Sequence, residues 1–120
     1  MKKIVFILTQ DPIKNCNMIS SALAQALTAL RSGYECEIFL SDDAVKLILP
    51  ECSSGQNAGA FDFAELLSYF ENRGGTIYAC NPALNSRNID VEKGKSRITG
   101  FVNASKLIES SVEAYAVFTY

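Results

Sequence analysis

The sequence has no histidine and no tryptophan, and only three prolines in 120 residues. Without histidine there is no Ser-His-Asp triad, no Cys-His dyad and no imidazole to bind a metal, so the commonest general base and the commonest metal ligand are both missing. The four cysteines, Cys16, Cys36, Cys52 and Cys80, show no C-x-x-C spacing. Neither a metal site nor a paired-thiol motif is expected from them. No run reaches the roughly 18 apolar residues needed to cross a bilayer. Met1-Lys2-Lys3 ahead of Ile4 to Leu8 has the start of a secretion signal, but Thr9-Gln10-Asp11-Pro12 stops the apolar run too soon. The expectation is a soluble, cytoplasmic chain with reduced thiols. Eleven basic and thirteen acidic residues are scattered and leave a net charge of -2, which gives no electrostatic footprint for nucleic acid or an anionic membrane. There is no G-x-G-x-x-G or Walker pattern, and Gly74-Gly75 precedes a strand instead of opening a helix, so no nucleotide or other cofactor is implied.

What remains is ordinary globular composition, nearly half of it hydrophobic, at a length suited to one domain spanning residues 1–120. Lys3 to Leu8 reads as a strand covered on both faces. Met18, Ile19, Ala22, Leu23, Ala26, Leu27 and Leu30 recur at helical spacing, predicting a helix from about Asn15 to Ser32 with Gly33 as its C-terminal cap. Tyr34 to Leu40 is a second strand, with Cys36, Ile38 and Leu40 on one face. Ser41-Asp42-Asp43 caps a short helix that Pro50 ends, and Glu51 to Ala60 reads as the least ordered loop. Asp62 caps a helix carrying Phe63, Leu66, Leu67 and Phe70, and Gly74-Gly75 ends it before a third strand from Thr76 to Cys80. A short helix from Pro82 to Ser86 follows, then a strand at Ile98 to Val102, a helix at Ala104 to Ser111 and a final strand at Val112 to Tyr120. Strands alternating with helices predict an α/β fold: a mainly parallel sheet of about five strands with helices on both faces.

In such a sheet, ligands gather at the carboxyl ends of the strands. Cys80 ends the third strand where a helix begins, and the positive end of that helix, with Arg87 as a second positive influence, would favour the nucleophilic thiolate. Cys80 is therefore the candidate catalytic residue. Asn81 and Arg87, in the same loop and helix, and Asp11, in the loop after the first strand, are the candidate substrate-binding residues. Cys16, at the start of the first helix on the same sheet edge, is a possible secondary thiol. Cys36 reads as core and Cys52 as a loop thiol able to approach either partner. Helix capping accounts for Asp42 and Asp43 without metal or acid chemistry.

The segments KKIVFILTQDP (Lys2 to Pro12), RSGYECEIFLSDDAV (Arg31 to Val45) and FDFAELLSYFENRGGTIYAC (Phe61 to Cys80) resemble the DsrE/DsrF-like family, which includes subunits of sulfur-relay complexes. The resemblance runs over nearly the whole chain. It implies a flavodoxin-like or Rossmann-like domain that assembles as a trimer or hexamer. It also implies, where the family acts in sulfur transfer, a persulfide on Cys80 relayed to a partner thiol of a donor or acceptor protein. Where several relatives carry a second cysteine in the same loop, this chain has Pro82, Ala83 and Leu84, so no paired thiol is implied there. The rival readings are a small-ligand-binding module and a purely structural assembly subunit of the same fold.

Overall fold

Lys3–Leu8 forms strand β1, with Ile4, Phe6 and Leu8 buried on one face and Val5 on the other. The computed structural model describes residues 1–53, 57–58, 61–94 and 98–120. A polar turn leads into helix α1 (Cys16–Arg31), whose buried stripe is Ile19, Ala22, Leu23, Ala26 and Leu27. The stripe follows from 3.6-residue periodicity. Gly33 then takes φ of 94°, a left-handed conformation open to glycine and costly for a side chain. Strand β2 (Glu35–Leu40) pairs in parallel with β1.

Two local expectations are corrected here. Asp42–Ile48 is a 3-10 helix, and Ser41 makes no side-chain capping bond to it. Pro50 does not simply end helical structure but opens a one-turn helix, α2 (Pro50–Ser53). Proline suits a first helical turn because it lacks only an N–H that would go unbonded there. Beyond α2, strands β3 (Asn57–Ala58) and β4 (Phe61–Asp62) form a small antiparallel pair. The rest of the loop expected to be least ordered lies outside the described residues.

Asp62 caps α3 (Phe63–Asn72) by accepting the Glu65 N–H at 2.8 Å. After α3 come β5 (Thr76–Cys80), α4 (Asn81–Ser86), a 3-10 turn at Val91–Lys93, β6 (Gly100–Val102), α5 (Ala104–Glu113) and β7 (Ala116–Thr119). The last helix runs past its expected end at Ser111, because Val112, β-branched and read as strand, belongs to the helix.

The five long strands lie in the order β6-β5-β2-β1-β7 and every pairing among them is parallel. From β1 through β2 and β5 to β6 each crossover steps the same way, so right-handed connections put α1, α3 and α4 on one face. The connection from β6 to β7 runs back across the sheet and puts α5 on the other. There Lys106 lies over the Tyr78 ring at 5.5 Å, and Lys3 donates to Glu113 at 3.5 Å. The direction of travel thus reverses between β1 and β7.

The main core lies under α1 and α3, where Phe6, Phe63 and Phe70 are almost fully enclosed. Gly75 gives that core its tightest approach, since a Cβ there would sit 2.3 Å from the Phe70 ring. Gly75→Ala should therefore cost about 1–3 kcal/mol through overpacking, read as a lower urea midpoint with unchanged slope.

The opposite face is built differently. The inward side of α5 offers half-buried Leu107 and Ser110, fully buried with no hydrogen-bond partner for its hydroxyl, over the buried Val5 and Phe39 of the sheet. The outward side carries Ile108 and Val112, 61% and 80% exposed. Beneath α5, Glu37 is buried with its Oε1 3.3 Å from Lys3 Nζ, close enough for an ion pair but not aligned as a hydrogen bond. Edge strand β7 has no charged residue and leaves Val117 and Phe118 half exposed beside exposed Tyr115.

Candidate functional site

Three loops meet at the carboxyl edge of the sheet, and each takes its shape from its own residues. After β1, Asp11 bends the chain back on itself. Its Oδ1 accepts the backbone N–H groups of Ile13 at 2.8 Å and Lys14 at 3.1 Å, and its carbonyl accepts the Asn15 N–H at 2.9 Å. Its Oδ2 accepts Lys46 Nζ at 2.8 Å from the 3-10 helix after β2. Lys46 also faces Asp43 at 3.8 Å, and Asp43 accepts Arg87 Nε at 2.9 Å. An alternating chain Asp11, Lys46, Asp43, Arg87 thus ties the loops after β1, β2 and β5 together. Asp43 does more than cap a helix.

Asp11 is buried, and its carboxylate is held by the Lys46 ammonium and by the Lys14 and Ile13 amides. These contacts outweigh desolvation and lower its pKa to about 2. The folded value lies below that of an unfolded chain, about 3.9. The stabilisation is therefore whole above about pH 5 and is lost as pH falls toward about 2. Asp11→Asn should cost about 1–2 kcal/mol near neutral pH and almost nothing near pH 2. Urea unfolding of both proteins across that range checks it; a constant difference at every pH would rule the linkage out.

Cys80 is the N-cap residue of α4, partly exposed and packed against the rim of the core. Asn81 opens α4 next to it. Arg87 stands at the other end of the six-residue helix, where its Nη1 donates to the Ala83 carbonyl at 3.1 Å and its Nε to Asp43. At 1.5 Å per residue the two ends are about 9 Å apart. Arg87 thus joins the charge chain and caps the C-terminal end of α4, with its guanidinium reaching back to the Ala83 carbonyl.

Cys16 begins α1, half-buried. Cys36 is core, and burial, with the Glu35 charge, pushes its thiol up to about 11. Cys52, in α2, lies closer to the candidate residues than sequence alone indicated. It lines a cavity of about 360 Å³ together with Asp11, Lys46 and Arg87. Cys80 does not line that cavity. Lys46 was the residue missed, and its only signal was the Asp43/Lys46 spacing of three along one helix face. A larger groove of about 500 Å³ between α1 and α3 contains no thiol. At its side Tyr69 accepts from Arg31 at 3.0 Å, which lowers the phenol's pKa. It flanks the core, away from the strand ends, and the carboxyl edge remains the better candidate site.

Among the described residues no helix is long and apolar enough to cross a membrane. No curated protein matches the sequence. Three solved structures share the fold. The ychN protein of E. coli is 20% identical with a TM-score of 0.77, each chain covered in full. MTH1491 of Methanobacterium thermoautotrophicum, a protein of unknown function, is 14% identical with a TM-score of 0.72, again over both whole chains. BT1422 of Bacteroides thetaiotaomicron, also of unknown function, is 17% identical with a TM-score of 0.68, over 99% of this chain and 95% of that one. The family model for DsrE/DsrF-like proteins matches residues 2–120, and the chain belongs to the DsrE/DsrF-like family.

Proposed function

We propose that this protein is a cytoplasmic sulfur carrier in which Cys80 accepts sulfane sulfur as a persulfide and relays it to a partner thiol. The observation that carries the reading is a partly exposed cysteine at the end of a central parallel strand, N-capping the following helix, in a chain whose family suggests sulfur relay. In the loading step the Cys80 thiolate attacks the outer sulfur of a donor persulfide. The new S–S bond forms on Cys80 as the donor's old one breaks, and the donor leaves as a thiolate. In the delivery step the acceptor thiolate attacks the outer sulfur, and Cys80 departs as the thiolate. Nothing is oxidised or reduced overall, and no histidine is required. The Asn81 side chain and the first-turn N–H groups of α4, of which Pro82 has none, are the donors proposed for the terminal sulfur. The test is the intact mass of the protein after incubation with a polysulfide, with and without a reductant: one added sulfur atom, removed by reduction, supports the reading.

The carrier is proposed to work as a homo-oligomer, with α5 and β7 between the copies. An uncharged edge strand beside an outward apolar ridge is what soluble proteins normally avoid leaving open. A two-fold axis perpendicular to the sheet at this edge would pair β7 antiparallel with its own copy, a contact that a hexamer can use, and the exposed rim carries both signs of charge in Lys2, Glu109 and Glu113.

A further inference from the structure

The cavity at the carboxyl edge has a composition that the persulfide reading does not use. Its cations are Lys14, Lys46 and Arg87, set against one carboxylate, Asp11. Both Asp11 oxygens are already engaged by Lys46 and by backbone amides. Lys46 and Arg87 each have an acidic partner, whereas the Lys14 ammonium has none among the described residues. The other walls are Ile13, Leu49, Ile89 and the Cys52 thiol. A bare inorganic anion would lose hydration against such walls and gain little in return. A body of a few carbons would fill them, and the volume suits a ligand at the small end of the usual range, about 300–1,000 Å³.

We propose that this cavity is a binding site for a small organic monoanion, a carboxylate on a compact apolar body. The carboxylate lies toward Lys14, and the body packs on Ile13, Leu49 and Ile89 against Cys52. Lys46 and Arg87 are held in place by Asp11 and Asp43 and balanced by them, so the net positive charge at the site is that of Lys14. Cys52 serves as a soft wall. Burial, with the Glu51 and Asp11 charges, raises its pKa and keeps the thiol protonated and uncharged at neutral pH. The site does not require Cys80 to carry sulfur.

Benzoate is the probe, and the test uses the full chain carrying Cys16→Ser and Cys80→Ser, so that its outcome is separate from any sulfur loading. The neutral disulfide 2,2′-dithiodipyridine modifies Cys52 by thiolate attack on its S–S bond, with mercaptopyridine as the leaving group. Benzoate should slow this modification saturably, while benzamide, of the same shape without the charge, should not. Lys14→Gln, compared with its own unprotected rate, should raise the benzoate concentration for half-protection roughly tenfold. Protection by benzamide equal to that by benzoate, no saturable protection at all, or full protection retained in Lys14→Gln would each overturn the assignment.

Discussion

Cys80→Ser is expected to take up no sulfur from a polysulfide donor while keeping its fold. Serine nearly matches cysteine in size, and the position is partly exposed at a strand end, within reach of water. The stability loss should stay within about 1 kcal/mol. Loading needs a polarizable thiolate, which serine cannot supply, so the reducible mass increase should vanish although Cys16, Cys36 and Cys52 remain. The two measurements fail in different ways. A variant that unfolds, or loses several kcal/mol, would show Cys80 to be a packing residue. A variant that folds and still loads would move the chemistry to another thiol. Cys36 is an unsuitable carrier because it is enclosed in the core with its pKa pushed up to about 11, so Cys16 would be the next to replace.

The second large effect is expected at the α5–β7 face. Val112 and Val117 are both exposed in the single chain, so Val112→Glu and Val117→Glu should each change monomer stability by no more than about 0.5 kcal/mol. In an assembly that closes over these side chains, a buried charge without a partner costs several kcal/mol. Light scattering at micromolar concentration should show a mass above one chain for the parent protein and that of one chain for the double variant. A parent protein that is already monomeric would remove the self-association proposal. An oligomer unaffected by both charges would keep self-association but put the interface elsewhere.

Much of this architecture was legible because long elements announce themselves. Ile19 to Leu27 repeat at 3.6 residues, Ile4 to Leu8 is uniformly apolar, and Gly33 and Gly74-Gly75 stand where helices stop. The less legible parts are those in which one residue has two admissible roles. Pro50 is a helix stop and also a good first helical residue. Val112 favours strands in general but here continues α5. The site was legible only in part for a related reason. Asp43 reads fully as a helix cap, so nothing local discloses that it bridges Lys46 and Arg87 across three loops. Arg87 reads as a charge near Cys80, and nothing local discloses that its side chain bonds Asp43 and the Ala83 carbonyl. Cys52 lies in a segment with no periodicity, and its place on the cavity wall depends on tertiary packing alone.

The thin seat of α5 has a consequence for motion. Beneath α1 and α3 the sheet is sealed by interlocking aromatic and branched side chains, so amides of β1, β2 and β5 exchange with solvent only when the whole molecule opens. Beneath α5 the buried Val5 and Phe39 are joined by the Ser110 hydroxyl and the Lys3–Glu37 ion pair, a smaller and more mixed filling than the one under α1 and α3. Lifting that helix uncovers fewer large buried side chains than lifting α1 or α3, so its detachment is expected to cost less than theirs. A copy docked across Ile108, Val112 and Val117 would clamp that motion, so that joining the subunits and quieting the helix become one equilibrium.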